Sequence, residues 1–346
     1  MVKRRALLAL VAAIVAAAAC YSPAFTDCEL ACSPAGMCPS GFECVGPVCR
    51  AVGATGTCPP ATPDASGDGE MLDAPMTHPT TMWGNVSRVY SPPNGFVVED
   101  PSLTGDEREL FLMYGSGSGS GSPGTSDIVV ATRPMGGAFS ALFNAQGLND
   151  LDSLVRESAP YVTTDGLTMY LASTRPGGMG GSDIWMHTRP TRASNWGEPV
   201  AVASLNTVDT EIGGSITANG RMIALSRVSA NFDDEDIYIG IRAMPSGAWE
   251  MPLPEVMINS AGIDSHPHLS PDGLAIYFHS NRFTGTDFDL YEAHRSSIGA
   301  EFEPPRRLDE LSTQGFEEDP WVSPDGMHIY FTRTVGGVKY IYDARR

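Results

Sequence analysis

The chain has 346 residues, with 41 acidic against 22 basic side chains and a formal net charge of −19. A hydrophobic fraction of 42% supports a real core and excludes wholesale disorder. So acidic a surface repels phosphate backbones, so nucleic acid is not an expected partner.

Met1-Val2-Lys3-Arg4-Arg5, followed by an uncharged stretch over 6–19, reads as a signal peptide assigned to residues 1–19. It is too short to hold as a spanning helix. Ala17-Ala18-Ala19-Cys20 satisfies both a small-residue cleavage site and the looser form of a lipobox, which makes Cys20 the expected lipidation site. The membrane is then a partner through the lipid anchor. By resemblance to Gram-negative lipoproteins, Tyr21 after Cys20 carries no inner-membrane retention signal. That implies an outer-membrane lipoprotein facing the periplasm or the cell surface, with plain secretion as the alternative.

Cysteine usage supports export. The seven cysteines all precede residue 59, and if Cys20 is lipidated the other six, Cys28, Cys32, Cys38, Cys44, Cys49 and Cys58, form an even set for disulfides. Residues 20–58 are thus expected to be a small crosslinked segment with too little chain to bury a core. No C-x2-C pair argues for zinc there, and no metal is expected. Residues 59–81 turn to Pro, Ala, Thr and Asp without apolar periodicity, a linker.

Residues 82–346 are a repeat. Ser270-Pro271-Asp272-Gly273 and Ser323-Pro324-Asp325-Gly326 lie 53 residues apart, each with a proline five positions before the Asp. The same step finds weaker copies anchored at Asp106, Asp165 and Asn219. Such a tetrapeptide is a tight turn joining antiparallel strands. After each anchor comes an apolar strand, with Leu110, Met169, Ile223, Ile276 and Ile329 at the same offset. Both faces are apolar, as in a strand sandwiched between neighbouring sheets. A third strand follows, for example Asp183-Ile184-Trp185 and Asp289-Leu290-Tyr291, ending in Arg133, Arg189, Arg242, Arg295 and Arg345. In the fifth copy Lys339 replaces the Asp. An aromatic opens the fourth segment at Phe139, Trp196, Trp249 and Phe302, and the fifth unit ends before reaching its own. Trp83-Gly84 supplies it from the other end of the domain. The expected fold is therefore all-β: a five-bladed β-propeller of four-stranded antiparallel blades, closed by an N-terminal strand pairing with the C-terminal strands.

These motifs resemble the WD-like repeats of TolB-type propellers, with a Pro, a Ser-Pro-Asp-Gly turn, an Ile-Tyr-Phe-like strand and an Asp-Ile/Leu-Tyr strand recurring. The resemblance covers 82–346 and departs from TolB in blade number and in lacking its N-terminal α/β domain.

In a propeller the innermost strands line a central channel, so the positions ahead of each repeat proline are where a ligand site is expected. Eight residues before the anchors stand Val98, Glu157, Glu211, Asp264 and Glu317, and six before them Asp100, Ala159, Gly213, His266 and Asp319. Asp100, His266 and Asp319 belong to contiguous blades and are expected to face one another, a set suited to binding a divalent ion or to acid-base work. The competing reading is that such acids satisfy amides of neighbouring inner strands. His266-Pro267-His268 places two imidazoles on one strand face, and the acidic run 231–236 reads as a solvated loop. No phosphate loop, nucleophile elbow or Ser-His-Asp order occurs in a supporting context, so no cofactor and no catalytic residue is expected. On that absence the leading expectation is a non-enzymatic binding scaffold, more scaffold than enzyme, for an envelope protein, a peptide or a glycan. The alternative is a carbohydrate-active hydrolase or lyase using channel carboxylates.

Overall fold

The computed structural model describes residues 81–116, 126–150, 154–229 and 235–346, and the backbone of three short strands nearer the N-terminus. The chain divides into two compact units, Met1–Asp73 and Ala74–Arg346. In the first, β1 (Leu30–Ala31), β2 (Phe42–Val45) and β3 (Val48–Ala51) form an antiparallel sheet in the order β1-β3-β2, with Cys44 opposite Cys49 in the backbone register. The expected signal peptide, Cys20, Cys28, Cys32, Cys38, Cys58, and the linker over 59–80 lie outside the described residues. So do most of the Gly-Ser run after Gly115 and the acidic residues 231–234.

In the second unit the described strands form five four-stranded antiparallel sheets. Blade 1 is β5 (Phe96–Leu103), β6 (Glu109–Ser116), β7 (Ser126–Thr132) and β8 (Phe143–Asn144). Blade 2 is β9 (Glu157–Val162), β10 (Thr168–Ser173), β11 (Asp183–Thr188) and β12 (Val200–Ala201). Blade 3 is β13 (Thr210–Ile216), β14 (Met222–Val228), β15 (Glu235–Ile241) and β16 (Leu253–Pro254). Blade 4 is β17 (Asp264–Leu269), β18 (Ala275–Ser280), β19 (Asp289–His294) and β20 (Arg306–Arg307). Blade 5 takes β21 (Glu317–Val322), β22 (His328–Val335) and β23 (Val338–Arg345) from the C-terminus and β4 (Gly84–Tyr90) from the start of the domain. The ring closes as the missing fourth segment predicts.

Why these residues build blades is visible at each seam. Apolar side chains on both faces of the second strand feed five buried clusters, one per pair of neighbouring blades, such as Phe111, Met169 and Trp196 between blades 1 and 2. Each such side chain contributes about 1.5–3 kcal/mol on burial. The arginine that ends each third strand ties the blade together. Its guanidinium lies over the aromatic of the fourth segment, 4.3 Å from Phe139 for Arg133, 4.3 Å from Trp196 for Arg189, 4.0 Å from Trp249 for Arg242 and 4.4 Å from Phe302 for Arg295. Its Nε–H donates to a carbonyl of the repeat turn, Gly166, Gly220 and Gly273 in blades 2 to 4. In blade 5 this arginine is Arg346, not Arg345 as the spacing suggests: Arg346 stacks 4.1 Å from Trp83 and donates to Gly326. The register explains the difference: Tyr340, paired with Arg333, holds the position of the third-strand Asp, and Arg346 lies the usual six residues after it.

Candidate functional site

Each inner strand carries one irregularity at the same place. The register shifts between Glu99 and Ser102, Ile212 and Ser215, Ser265 and His268, and Glu318 and Trp321, and across the equivalent part of β9. At each bulge one residue is left-handed: Asp100 (φ 56°), Ala159 (46°), Gly213 (72°), His266 (50°) and Asp319 (56°). Four of these are not glycine, and those four precede prolines, which further restrict them. Such a conformation costs about 1 kcal/mol or more for an L-residue and persists where the surroundings impose it. Its effect is to bring all five residues round a central cavity of about 40 Å³.

The five do not contribute alike. Blades 2 and 3 present only Ala159 and Gly213, whereas blades 4, 5 and 1 present His266, Asp319 and Asp100. His266 Nε2 lies 3.3 Å from Asp100 Oδ1, and its Nδ1 lies 3.7 Å from Asp319 Oδ1. The expected meeting of these three therefore occurs. The amide-satisfying role applies to them in part, since Asp100 Oδ2 accepts the Ala159 N–H at 2.7 Å and Asp319 Oδ2 accepts that of Asp100 at 3.4 Å. Each carboxylate keeps its second oxygen toward the imidazole.

The structure adds residues that spacing alone did not single out. His279 stacks on His266 with ring centroids 5.0 Å apart, and its Nδ1 lies 3.4 Å from Asp319 Oδ1. Lys339 reaches Glu99 Oε1 at 3.0 Å and Glu318 Oε2 at 2.9 Å. Both depart from the repeat: His279 stands where the other second strands carry Met113, Ala172, Ser226 and Thr332, and Lys339 is the one basic residue just ahead of the third-strand Asp position, which the register gives to Tyr340 and not to Lys339 as the spacing suggests. Departure was the available signal. His266, His279 and Asp319 each bring a donor atom within 4.8 Å of one another, as do Glu99, Asp100 and Asp319, so either set has the composition to hold a cation. His268 takes no part: it bonds the Val322 carbonyl at 2.9 Å and, with Tyr161 and Trp321, forms a plug of rings below the cavity. Burial pushes its pKa down to about 4, so it is neutral.

Electrostatics separates the carboxyls. Burial raises Glu99 to about 7, with Asp100 and Asp319 adding to the rise and Lys339 opposing it. Burial acts on Asp319 in the same sense, but His266 and His279 outweigh it and hold Asp319 well below the usual carboxylate range. Burial disfavours a charged His266, yet Asp319 and Asp100 overcome it and raise that imidazole to about 10. From His279 a row of rings runs outward through Phe288 at 5.0 Å to Phe316, which is 38% exposed.

The other four candidates lie elsewhere. Glu157, Glu211, Asp264 and Glu317 are fully buried and each meets an arginine: Arg175 at 3.0 Å, Arg227 at 2.9 Å, Arg282, and Arg333 at 2.8 Å. Each also accepts an amide N–H from the preceding loop, at Asp150, Thr207, Ser260 and Thr313. None of the four lines the central cavity.

No protein-family model and no curated protein matches this sequence. Among solved structures the chain is similar to the catalytic domain of the Coprinopsis cinerea GH62 α-L-arabinofuranosidase, at TM-score 0.52 and 9% identity over 76% of this chain and 96% of that one. It is similar to the Bacillus subtilis arabinanase at TM-score 0.50 and 12% identity, over 74% and 96%. TolB from Acinetobacter baumannii matches at TM-score 0.40 and 15% identity over 74% of this chain, and the chain spans only about half of TolB's length, 55%. The first two likenesses support the β-propeller fold. They also overturn the expectation of a non-enzymatic scaffold and the reading as more scaffold than enzyme, because the propellers matched over nearly their whole length are named as glycosidases. The expectation failed for a physical reason. It rested on the absence of a contiguous catalytic motif, and a propeller assembles its channel groups from strands far apart in sequence.

Proposed function

We propose that the chain is a carbohydrate-active hydrolase working at the channel end where Glu99, Asp100 and Asp319 meet. The observation that carries this is the pair of opposed carboxyls: Glu99 raised to about 7 and Asp319 held far down, with oxygens inside a 4.8 Å cluster. Two carboxyls with separated protonation states are what glycoside hydrolysis requires, one to donate a proton and one to remain an anion. Their closeness favours the arrangement in which the anion itself meets the sugar, for which about 5 Å is typical. Glu99 is then the proton donor to the departing oxygen, and Asp319, fixed beneath two imidazoles, faces the positive charge developing on the sugar ring. A cavity of about 40 Å³ admits no sugar ring, so the ring sits above it, beside Phe288 and Phe316.

Arabinose-containing glycans are the first substrates to try, since the matched propellers are an arabinofuranosidase and an arabinanase. The test is sugar release from arabinan and arabinoxylan by the folded protein. Glu99→Gln and Asp319→Asn are each expected to lower kcat by about 10²-fold or more. Activity should fall as pH rises through about 7, where Glu99 loses its proton. Absence of release from both polymers, or full activity in both variants, would sink the reading. We also propose attachment through a lipid on Cys20, tested by palmitate incorporation that a Cys20→Ser variant should lose.

A further inference from the structure

A second pocket, of about 340 Å³, opens on the turn face at the seam between blades 2 and 3. That size lies within the range of about 300–1,000 Å³ usual for small-molecule sites. Among the described residues no backbone hydrogen bond bridges the two turns of this seam. At the seams of blades 1 and 2 and of blades 3 and 4, the residue before the anchor donates its amide across the gap, Gly105 to Thr164 and Ala218 to Pro271, both at 2.9 Å. Among the described residues Thr164 makes no such bond to blade 3. The seam stays open, floored by Tyr161, Tyr170 and Ile216 and walled by Thr163, Thr168 and Thr217.

One side of this pocket is Arg242. Its equivalents are neutralised: Arg133 by Glu107 at 2.6 Å, Arg189 by Glu109 at 2.7 Å and Arg346 by Glu292 at 3.4 Å. Arg295 is buried against Met222 Sδ, with Glu255 and Asp272 acting on it from nearby. Arg242 alone combines a lack of any ion pair among the described residues with an open cavity. It is nonetheless held in place, with Nε–H on the Gly220 carbonyl at 2.6 Å, Nη1 on that of Gly247 at 3.4 Å and the plane over Trp249. A guanidinium fixed by neutral partners is a ready carboxylate receptor.

The remaining rim says what else the ligand carries. Asn219 Oδ1 is spent on Thr217 and the Arg221 amide, leaving its NH₂ to donate. Asp165 Oδ1 is spent on Thr163 and the Leu167 amide, and the carboxylate stands opposite as an acceptor. A ligand anionic all round, such as phosphate, meets Asp165 unfavourably, whereas one with a carboxylate at one end and hydroxyls at the other satisfies both. We propose that this pocket binds a sugar acid, a monosaccharide-sized ligand with a single carboxylate. The proposal does not depend on hydrolysis in the channel.

Calorimetric titration of the full chain with galacturonate and glucuronate, against galactose, glucose and inorganic phosphate, tests it. The uronates should bind about ten-fold more tightly than their neutral counterparts, with phosphate weaker than either acid. Arg242→Gln should bring acid and neutral sugars to parity. Because that arginine also packs on Trp249, a second variant, Ala218→Trp, fills the exposed mouth without touching the core and should abolish uronate binding. Glu99→Gln should leave it unchanged, which separates this pocket from the channel whatever the outcome of the hydrolysis assay. Parity in the wild type, no uronate binding, indifference to both pocket variants, or loss in Glu99→Gln would each overturn the proposal.

Discussion

The two halves of the channel are built by the same repeat and do opposite things. Blades 2 and 3 bring Ala159 and Gly213 to the left-handed position, while blades 4, 5 and 1 bring His266, Asp319 and Asp100 to it. A little further back along four of the strands lies a second ring that does not vary in this way, the buried acid with its arginine. The contrast teaches that in this molecule repetition holds the fold and departure from repetition makes the site. The acids that recur blade after blade are spent inside the protein, and the polar groups that do not recur face the cavity.

The largest test breaks a repeated element. Arg227→Ala strands the fully buried Glu211 carboxylate and should cost about 3–5 kcal/mol, read by chemical denaturation. Blade 1 points to the remedy, for at the matching paired positions it has Val98 opposite Tyr114 where blade 3 has Glu211 opposite Arg227. The double replacement Glu211→Val with Arg227→Tyr should recover most of the loss. If the single variant is as stable as the wild type, the acid ring is not structural.

The next test addresses the unrepeated half. The folded pKa of His266, about 10, lies above its ordinary value of 6.5, because Asp319, Asp100 and Glu235 face it and outweigh burial. The raised value means its stabilisation is complete below about pH 6.5 and is lost as pH rises through 10. Between those limits it should contribute up to about 1.4 kcal/mol of lost stability per pH unit. His266→Gln should flatten that slope in unfolding measurements from pH 6 to 10. An unchanged slope would show that the imidazole carries no charge of its own in the cluster.

The same contrast explains what was legible in the sequence. The ring could be read because each blade repeats its turn, its two-faced strand and its arginine over an aromatic, so that even the borrowed strand at Trp83 announced itself. Asp100, His266 and Asp319 could be placed together because they share one offset in contiguous blades. Glu157, Glu211, Asp264 and Glu317 looked equally promising, and spacing does not reveal that an arginine on the adjoining strand or two residues past its end closes over each of them. His279 and Lys339 went unassigned for the opposite reason: each is a single substitution within a repeat, and it is the packing of blade 4 on blade 5 that brings His279 against Asp319 and the closure of the ring that brings Lys339 against Glu99.

The smallest predicted effect isolates the backbone from everything else. At Gly213 a built Cβ meets nothing within 4 Å, so Gly213→Ala is free of steric clash, yet φ is 72°. The cost should therefore be conformational alone, about 1 kcal/mol. Ala159 at φ 46° already bears that cost, and its reversal to glycine trades relief of strain against a more flexible unfolded chain and a lost buried methyl. Ala159→Gly should thus lie within about 0.5 kcal/mol of the wild type. Both variants leave the three polar channel residues untouched, so any sugar release in the proposed assay, and its pH dependence, should not move. A stabilising Gly213→Ala together with an equally destabilising Ala159→Gly would mean instead that the left-handed backbone is imposed with no penalty, and that the bulge stores no strain at either half of the channel.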